Sequence, residues 1–280
     1  CFWRIVAKRA VLASGAQERP IAFANNDRPG FMNAGAVRGY LNRWGVATGR
    51  SVTVFGNNDY AHRTARDLSA AGVRIAALVD VREDVAVPGD FPVHAGCRVI
   101  DTVGRRGLRE VVIADREGKV SRIVSDCLTI SGGWNPALHL ACHMNGRPDW
   151  REDIAAFVPR PGMVPGLAAK TDLPQAEDAG VRIRAYWEVP EPKHRAWLDF
   201  ANDVTTKDVR LAAQENYRSV EHMKRYTTQG MAPDQGKNSN VGALAVLADA
   251  TGRTIPETGT TTFRPPYVPV SIAAMGAGGQ

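Results

Sequence analysis

The first half of the chain alternates short apolar runs with glycine turns, and helical spacing of apolar residues dominates only later. Residues 9–13 read as a buried strand closed by the turn Ser14-Gly15-Ala16. A loop rich in Asn, Asp, Arg, Pro and Gly follows from Glu18 to Gly30. Ala36, Val37, Tyr40 and Leu41 recur at near-helical spacing, which predicts a helix over 33–44. Val52-Thr53-Val54-Phe55 is the next strand and Gly56 its turn. Ala61, Ala65 and Leu68 share one face of a helix over 59–71, capped by Gly72, and a second strand occupies 73–79. Strand, glycine turn, helix and strand within about 30 residues make a βαβ unit, and hence a parallel sheet.

From 91 to 130 the pattern changes to antiparallel alternation. Strands are predicted at 97–100, 110–113 and 120–124, separated by turns such as Arg116-Glu117-Gly118-Lys119. Cys127-Leu128-Thr129-Ile130 is a further buried strand, closed by Ser131-Gly132-Gly133. Residues 159–192 are rich in Pro, Gly and Ala, with a boundary near Pro190-Glu191-Pro192. Helices are predicted beyond it at 205–215, where Thr205 or Thr206 supplies the N-cap, and at 220–226 and 241–249.

Composition narrows the function classes. In 280 residues, 44% are hydrophobic and 23% charged, as in an ordinary globular protein able to bury a core without metals or disulfides. The 35 Lys and Arg lie scattered among 29 acids, so the net charge of +6 forms no basic stripe interleaved with aromatics, and nucleic acid is not an expected partner. Cys1, Cys97, Cys127 and Cys142 form no C-x-x-C pair, which fits reduced thiols in a cytoplasmic protein rather than a disulfide or metal framework. No apolar run reaches membrane-spanning length. The chain starts inside the strand-like run Phe2-Trp3-Arg4-Ile5-Val6 and ends in a linker-like Gly-Ala-Gly-Gly, so it reads as a piece of a longer protein.

Two constellations bear on chemistry. In the βαβ unit, the G-x-G-x-x-G positions that bring bare backbone to a pyrophosphate are Gly56, Asn58 and Ala61. Asn58 would stand where the phosphate approaches, so this is a Rossmann-like turn with a compromised nucleotide site, despite Asp80 at the ribose position. The second constellation is the pair of strand-ending turns, Ser14-Gly15-Ala16 and Ser131-Gly132-Gly133-Trp134. They flank the βαβ unit as the edges of one dinucleotide domain interrupted by another. His139 and His143 stand four apart, a spacing compatible with zinc, but no third ligand accompanies them.

Several phrases together resemble one family along essentially the whole chain: residues 13–20 (Ala-Ser-Gly-Ala-Gln-Glu-Arg-Pro), 25–30 (Asn-Asn-Asp-Arg-Pro-Gly), 131–136 with His139-Leu140, 219–228, 230–237 and 263–267 (Phe-Arg-Pro-Pro-Tyr). They are similar to the alpha subunit of heterotetrameric sarcosine oxidase. The resemblance implies an α/β fold: a portion like the two-dinucleotide-binding-domain flavoproteins (Rossmann-like, FAD/NAD(P)-binding), then a small helical domain. That domain resembles a 2Fe–2S-binding domain without its cluster. The implied parts are 1–35, the rear of an outer NAD-binding domain; 36–125, an inserted second dinucleotide domain; 126–192, the return to the outer domain; 193–255, the helical domain; and 256–280, a linker toward a folate-binding domain.

In such an enzyme sarcosine is oxidised to glycine at the FAD of the beta subunit, and electrons pass to an FMN attached there. The products are hydrogen peroxide and formaldehyde, or methylene-tetrahydrofolate. Beta, gamma and delta subunits are the implied partners. No catalytic residue falls on this chain, which would supply NAD contacts, scaffold and interface. The NAD contacts carried over are Gly15, Ala16, Gly132 and Gly133, with Glu18 and Trp134 beside them. In related amino-acid and opine dehydrogenase subunits a C-x-C and a C-x4-C hold a 2Fe–2S cluster. Here Asp199, Ala201, Asp234 and Ser239 stand at those positions, none a thiolate, so no cluster is expected. The alternatives are a dehydrogenase subunit, a standalone flavin reductase, or a non-catalytic structural subunit.

Overall fold

A computed structural model of the chain describes residues 3–8, 12–85, 89–160, 163 and 180–276. In chain order the strands of its first part are β1 (Ala16–Glu18), β2 (Phe31–Asn33), β3 (Ser51–Gly56), β4 (Arg74–Asp80) and β5 (Val93–Ala95). They continue as β6 (Arg98–Val103), β7 (Glu110–Ala114), β8 (Val120–Val124), β9 (Cys127–Ser131) and β10 (Trp134–Pro136). Two helices, α1 (Ala34–Trp44) and α2 (Asp59–Ala70), fall among them. A left-handed Gly45 ends α1, donating to the Tyr40 and Leu41 carbonyls.

β2, β9, β3, β4 and β5 form one parallel sheet in that order. Its interior strands are buried on both faces and therefore read as continuous apolar runs. One face packs Val52, Val54, Leu78 and Cys127 against Val37 of α1 and Ala61, Ala65 and Leu68 of α2. The other packs Phe55, Val79, Leu128 and Ile130 against Val99, Val111 and Ile113 of the antiparallel meander β6-β7-β8, with Ile21 and Phe23 completing the layer. Gly56 is required here by contact: a Cβ on it would lie 2.4 Å from the Ala61 Cβ.

The sheet cuts across the expected boundaries at 35/36 and 125/126. Both β2 and β9 lie inside it, because β9 fills the slot between β2 and β3. The chain leaves this sheet only after Ser131. A strand over 9–13 is not found in the part that is described: Leu12 and Ala13 are exposed coil, and 9–11 lie outside the described residues. Trp3, Ile5 and Val6 are likewise exposed coil.

The rest of the chain builds a second core. Its elements are α3 (His139–Cys142), β11 (Asp149–Arg151), β12 (Ala156–Val158), β13 (Trp197–Asp199), β14 (Val204–Thr205), α4 (Thr206–Gln214), α5 (Val220–Thr227), α6 (Asn240–Thr251), α7 (Ile255–Thr258) and α8 (Ile272–Gly276). Thr205 caps α4 in a capping box with Asp208, and Ser219 caps α5. α6 is apolar nearly all round, as a helix buried on every side must be. Leu244 and Leu247 of α6 pack with Val209, Met223 and Leu198, but also with Ala22, Leu138 and Phe157. The helices therefore share one core with the segments before and after the sheet. Arg210 of α4 clamps Glu188 from the same side.

Candidate dinucleotide site

The βαβ turn is filled by the protein itself. Asn58 is wholly buried at the N-cap of α2, where its side chain accepts from the Tyr60 N–H at 2.9 Å. Its amide donates to the Ser131 carbonyl at 3.0 Å and the Ser131 hydroxyl at 3.2 Å. Residues 182–184 then lie over the turn. The Asp59 N–H donates to the Arg182 carbonyl, the Arg182 N–H to the Asp59 carboxylate, and the Arg184 N–H to the Asn57 carbonyl. The donors that a pyrophosphate would need at this helix end are thus taken by the chain.

Asp80 is occupied too. It is fully buried, with His62 Nε2 at 2.5 Å and Arg82 donating to both carboxylate oxygens, while Arg82 also reaches Asp59 at 2.7 Å. Burial alone would raise the Asp80 pKa, but the bonds from His62 and Arg82 outweigh it and hold the carboxyl below its ordinary range.

Of the six residues expected to contact NAD, Ala16, Glu18 and Trp134 lie on one small ladder, with Gly15 at one end of it and Gly132 and Gly133 at the other. β1 pairs antiparallel with β10, placing Ala16 opposite Pro136, Gln17 opposite Asn135 and Glu18 opposite Trp134. Gly15 precedes the ladder in the left-handed region (φ 66°), with open space where a Cβ would stand. Gly132 and Gly133 are used differently. A Cβ on Gly132 would lie 2.7 Å from the Arg19 and Pro20 carbonyls, and one on Gly133 would lie 2.5 Å from the Arg19 guanidinium. These glycines let the two strands close on Arg19, while Gly15 and Ala16 remain exposed.

Arg19 was not singled out by its sequence context, yet it is 1% exposed. It donates to Gly132 O at 2.8 Å, to Trp134 O and to Asn135 Oδ1, and its guanidinium lies over Trp187. Burial lowers its proton affinity, but a guanidinium keeps its charge in a protein. Nothing local in the phrase Glu-Arg-Pro distinguishes a buried arginine from a surface one.

Glu18 faces inward. One carboxylate oxygen accepts from the Gly35 N–H in the first turn of α1 at 2.5 Å, the other from the Ser131 hydroxyl at 2.7 Å. Burial pushes its carboxyl up to about 7, against the downward pull of those two bonds. Trp134 packs edge-on against Tyr60, and its indole N–H is buried with no partner among the described residues.

The loops of the helical region also meet. The Asp199 carboxylate accepts from the N–H groups of Ala201, Asn202 and Gly230 at 2.7–3.1 Å, and the Ser239 hydroxyl accepts from Gln229. His139 and His143 do not act as a pair: His139 is packed against Phe263 and Tyr267. Among the described residues no cluster of His, Cys, Asp and Glu is arranged to hold a metal, and no helix is long and apolar enough to cross a membrane.

Residues 193–279 match the family model of the sarcosine oxidase A3 domain. Over 98% of its length the chain is 42% identical to sarcosine oxidase subunit alpha of Rhizobium meliloti (strain 1021) and 39% identical to that of Corynebacterium sp. (strain P-1). It covers 31% and 34% of those proteins, so it spans about a third of the length of the curated relatives it matches. L-proline dehydrogenase from P. horikoshii shares the fold at a TM-score of 0.72, over 95% of this chain and 58% of that one, with 19% identity.

Proposed function

The chain belongs to the sarcosine oxidase alpha-subunit family, matching it along 98% of its own length, and on that premise we propose that it is the NAD-holding scaffold of an enzyme complex that oxidatively demethylates sarcosine to glycine. Hydrogen peroxide and formaldehyde, or methylene-tetrahydrofolate, are the other products. Oxidation takes place at the FAD of a beta subunit and the electrons continue to FMN there. Gamma and delta subunits complete the assembly, and a folate-binding domain belongs to the same alpha subunit. The setting is cytoplasmic.

The observation that carries this reading is the ladder of β1 and β10. Ala16, Glu18 and Trp134 lie on it, Gly15 precedes it at one end, and Gly132 and Gly133 flank its other end beside Arg19. A dinucleotide pyrophosphate needs close, bare backbone. Gly15 meets that need, having a left-handed backbone, no Cβ and open space on the side where one would project. Gly132 and Gly133 act one step back by letting Arg19 lock the ladder. Trp134 offers a buried N–H with no acceptor among the described residues. Glu18 holds the start of α1 rather than reaching outward.

The helical region works as a domain of the 2Fe–2S type that has lost its cluster. Asp199 supports this, because its carboxylate ties the two loops that a cluster would otherwise bridge. Electrons then have no route through this helical domain.

The test is to express the full-length subunit with its neighbouring subunits and analyse the cofactors. NAD and flavin without iron uphold the reading. Stoichiometric iron and sulfide transfer the protein to the iron–sulfur dehydrogenases, and absence of NAD leaves a purely structural subunit.

A further inference from the structure

The α3 turn, the start of α6 and the strap 259–267 enclose a cavity of about 40 Å³. Asn135, His139, Lys237, Asn240, Thr261 and Phe263 are among its walls, and no acidic side chain is among the described residues that line it. His139 is only 4% exposed, its ring 4.1 Å from that of Phe263 and 5.2 Å from that of Tyr267. Neither of its nitrogens has a hydrogen-bond partner among the described residues. Buried polar atoms are rarely left so. An imidazole always carries at least one N–H, so a ligand able to accept a hydrogen bond is called for.

The electrostatics favour a negative ligand. The Lys237 ammonium lies 4.2 Å from the centre of the Tyr267 ring and donates to the Tyr267 carbonyl, but has no carboxylate partner among the described residues. Asn240 and Val241, which open the twelve-residue α6, also line the cavity. The first turn of α6 carries no acidic residue and Ser239 makes no side-chain cap, so the positive end of the helix is not neutralised locally. Lys237, the first residues of α6 and the unmet imidazole therefore line one small space, with no acidic side chain among its described walls.

We propose that this cavity is a binding site for one small monovalent anion of chloride or formate size, held by Lys237 and His139. The volume admits only about two or three water-sized atoms, which is too little for a phosphate ester. A cation finds no carboxylate among the described walls, and an apolar guest would leave His139 unmet. Access lies along the strap. Thr260, Thr261 and Phe263 line both the cavity and an open groove of about 570 Å³ that carries Arg147 and Arg160.

The experiment uses the complete assembled enzyme. Melting curves are recorded in sodium chloride, sodium formate and sodium gluconate at equal ionic strength, gluconate being too large for the cavity. The site predicts a saturable rise in Tm with chloride and formate but not gluconate, and loss of that rise in Lys237→Met. Crystals of the unsubstituted enzyme soaked in bromide supply a readout independent of the variant, namely an anomalous peak between His139 and Lys237. Equal melting in the three salts, or a cavity holding only water that bromide does not displace, overturns the proposal.

Discussion

The side-chain amide of Asn58, at the phosphate position of a dinucleotide turn, is bonded to the carbonyl of Ser131 at the end of the neighbouring strand, at 3.0 Å. The same side chain caps α2. One residue thus closes the turn to a ligand and joins two strands of the parallel sheet. Asn58→Gly restores the glycine pattern but not the site, because Arg182 and Arg184 still bond across the helix end. The expected outcome is no second nucleotide in equilibrium dialysis and a stability loss of about 1–3 kcal/mol, from the missing cap and the lost side-chain bonds to Ser131. A second bound dinucleotide in this variant would disprove the plugged turn.

Arg82 neutralises the fully buried Asp80 and ties it to Asp59. Removing one partner of such a pair leaves a charge in the interior. Arg82→Met should cost about 3–5 kcal/mol in urea unfolding. A loss under about 1 kcal/mol would mean that solvent reaches Asp80 after all.

Two buried groups give opposite pH dependences. Glu18 titrates at about 7 in the fold, above its ordinary value of 4.5, so the native state holds a proton that the unfolded chain has released. Its contribution is complete below about pH 4.5 and is lost as pH rises through 7, a swing of about 3 kcal/mol. His139 is lowered from 6.5 to about 4, chiefly by burial, with the charges of Lys237 and His143 adding to the effect. Its contribution is present above pH 6.5 and is lost as pH falls through 4. The slopes oppose each other between 4.5 and 6.5. Stability–pH profiles should therefore steepen in Glu18→Gln, where His139 acts alone and stability climbs with pH. In His139→Phe they should turn downward with rising pH. Parallel profiles for both variants and the parent would refute the assignment.

The two classes of glycine separate by substitution. Gly132→Ala drives a Cβ to 2.7 Å from two carbonyls, so it should open the β1–β10 ladder and remove both stability and bound NAD. Gly15→Ala meets no atom of the described residues and bears only the left-handed backbone cost of about 1–2 kcal/mol. The larger Gly15→Val should keep a measurable melting transition yet reduce NAD content when the released nucleotide is quantified. If NAD survives Gly15→Val at full stoichiometry, the exposed turn is not its contact.

Asp199 satisfies the N–H groups of Ala201, Asn202 and Gly230. Asp199→Ala is expected to destabilise the protein by at least about 2 kcal/mol, and hydrogen exchange should rise at those amides in particular. Unchanged exchange would show that the loops hold without it.

Local patterning accounts for most of the secondary structure. The strand–glycine–helix–strand run at 51–80, the meander at 98–124 and the helices α4, α5 and α6 follow from periodicity, caps and turns, all of which act over a few residues. Asn58 was legible as an obstruction for the same reason: a side chain at that position has nowhere else to go. The family, too, was readable from short phrases. What closes the turn was not, since Arg182 and Arg184 lie more than a hundred residues beyond Asn57 and Asp59 and carry no local mark. Likewise, Cys127-Leu128-Thr129-Ile130 announces a buried strand but not its neighbours. Its place between β2 and β3 depends on pairings across about a hundred residues, where burial on both faces decides the order. Glu18 beside Arg19 carries no local sign of burial in the sequence. Tertiary packing buried both and sent them to separate partners, because the start of α1 needed an acceptor and the Gly132 turn needed a donor.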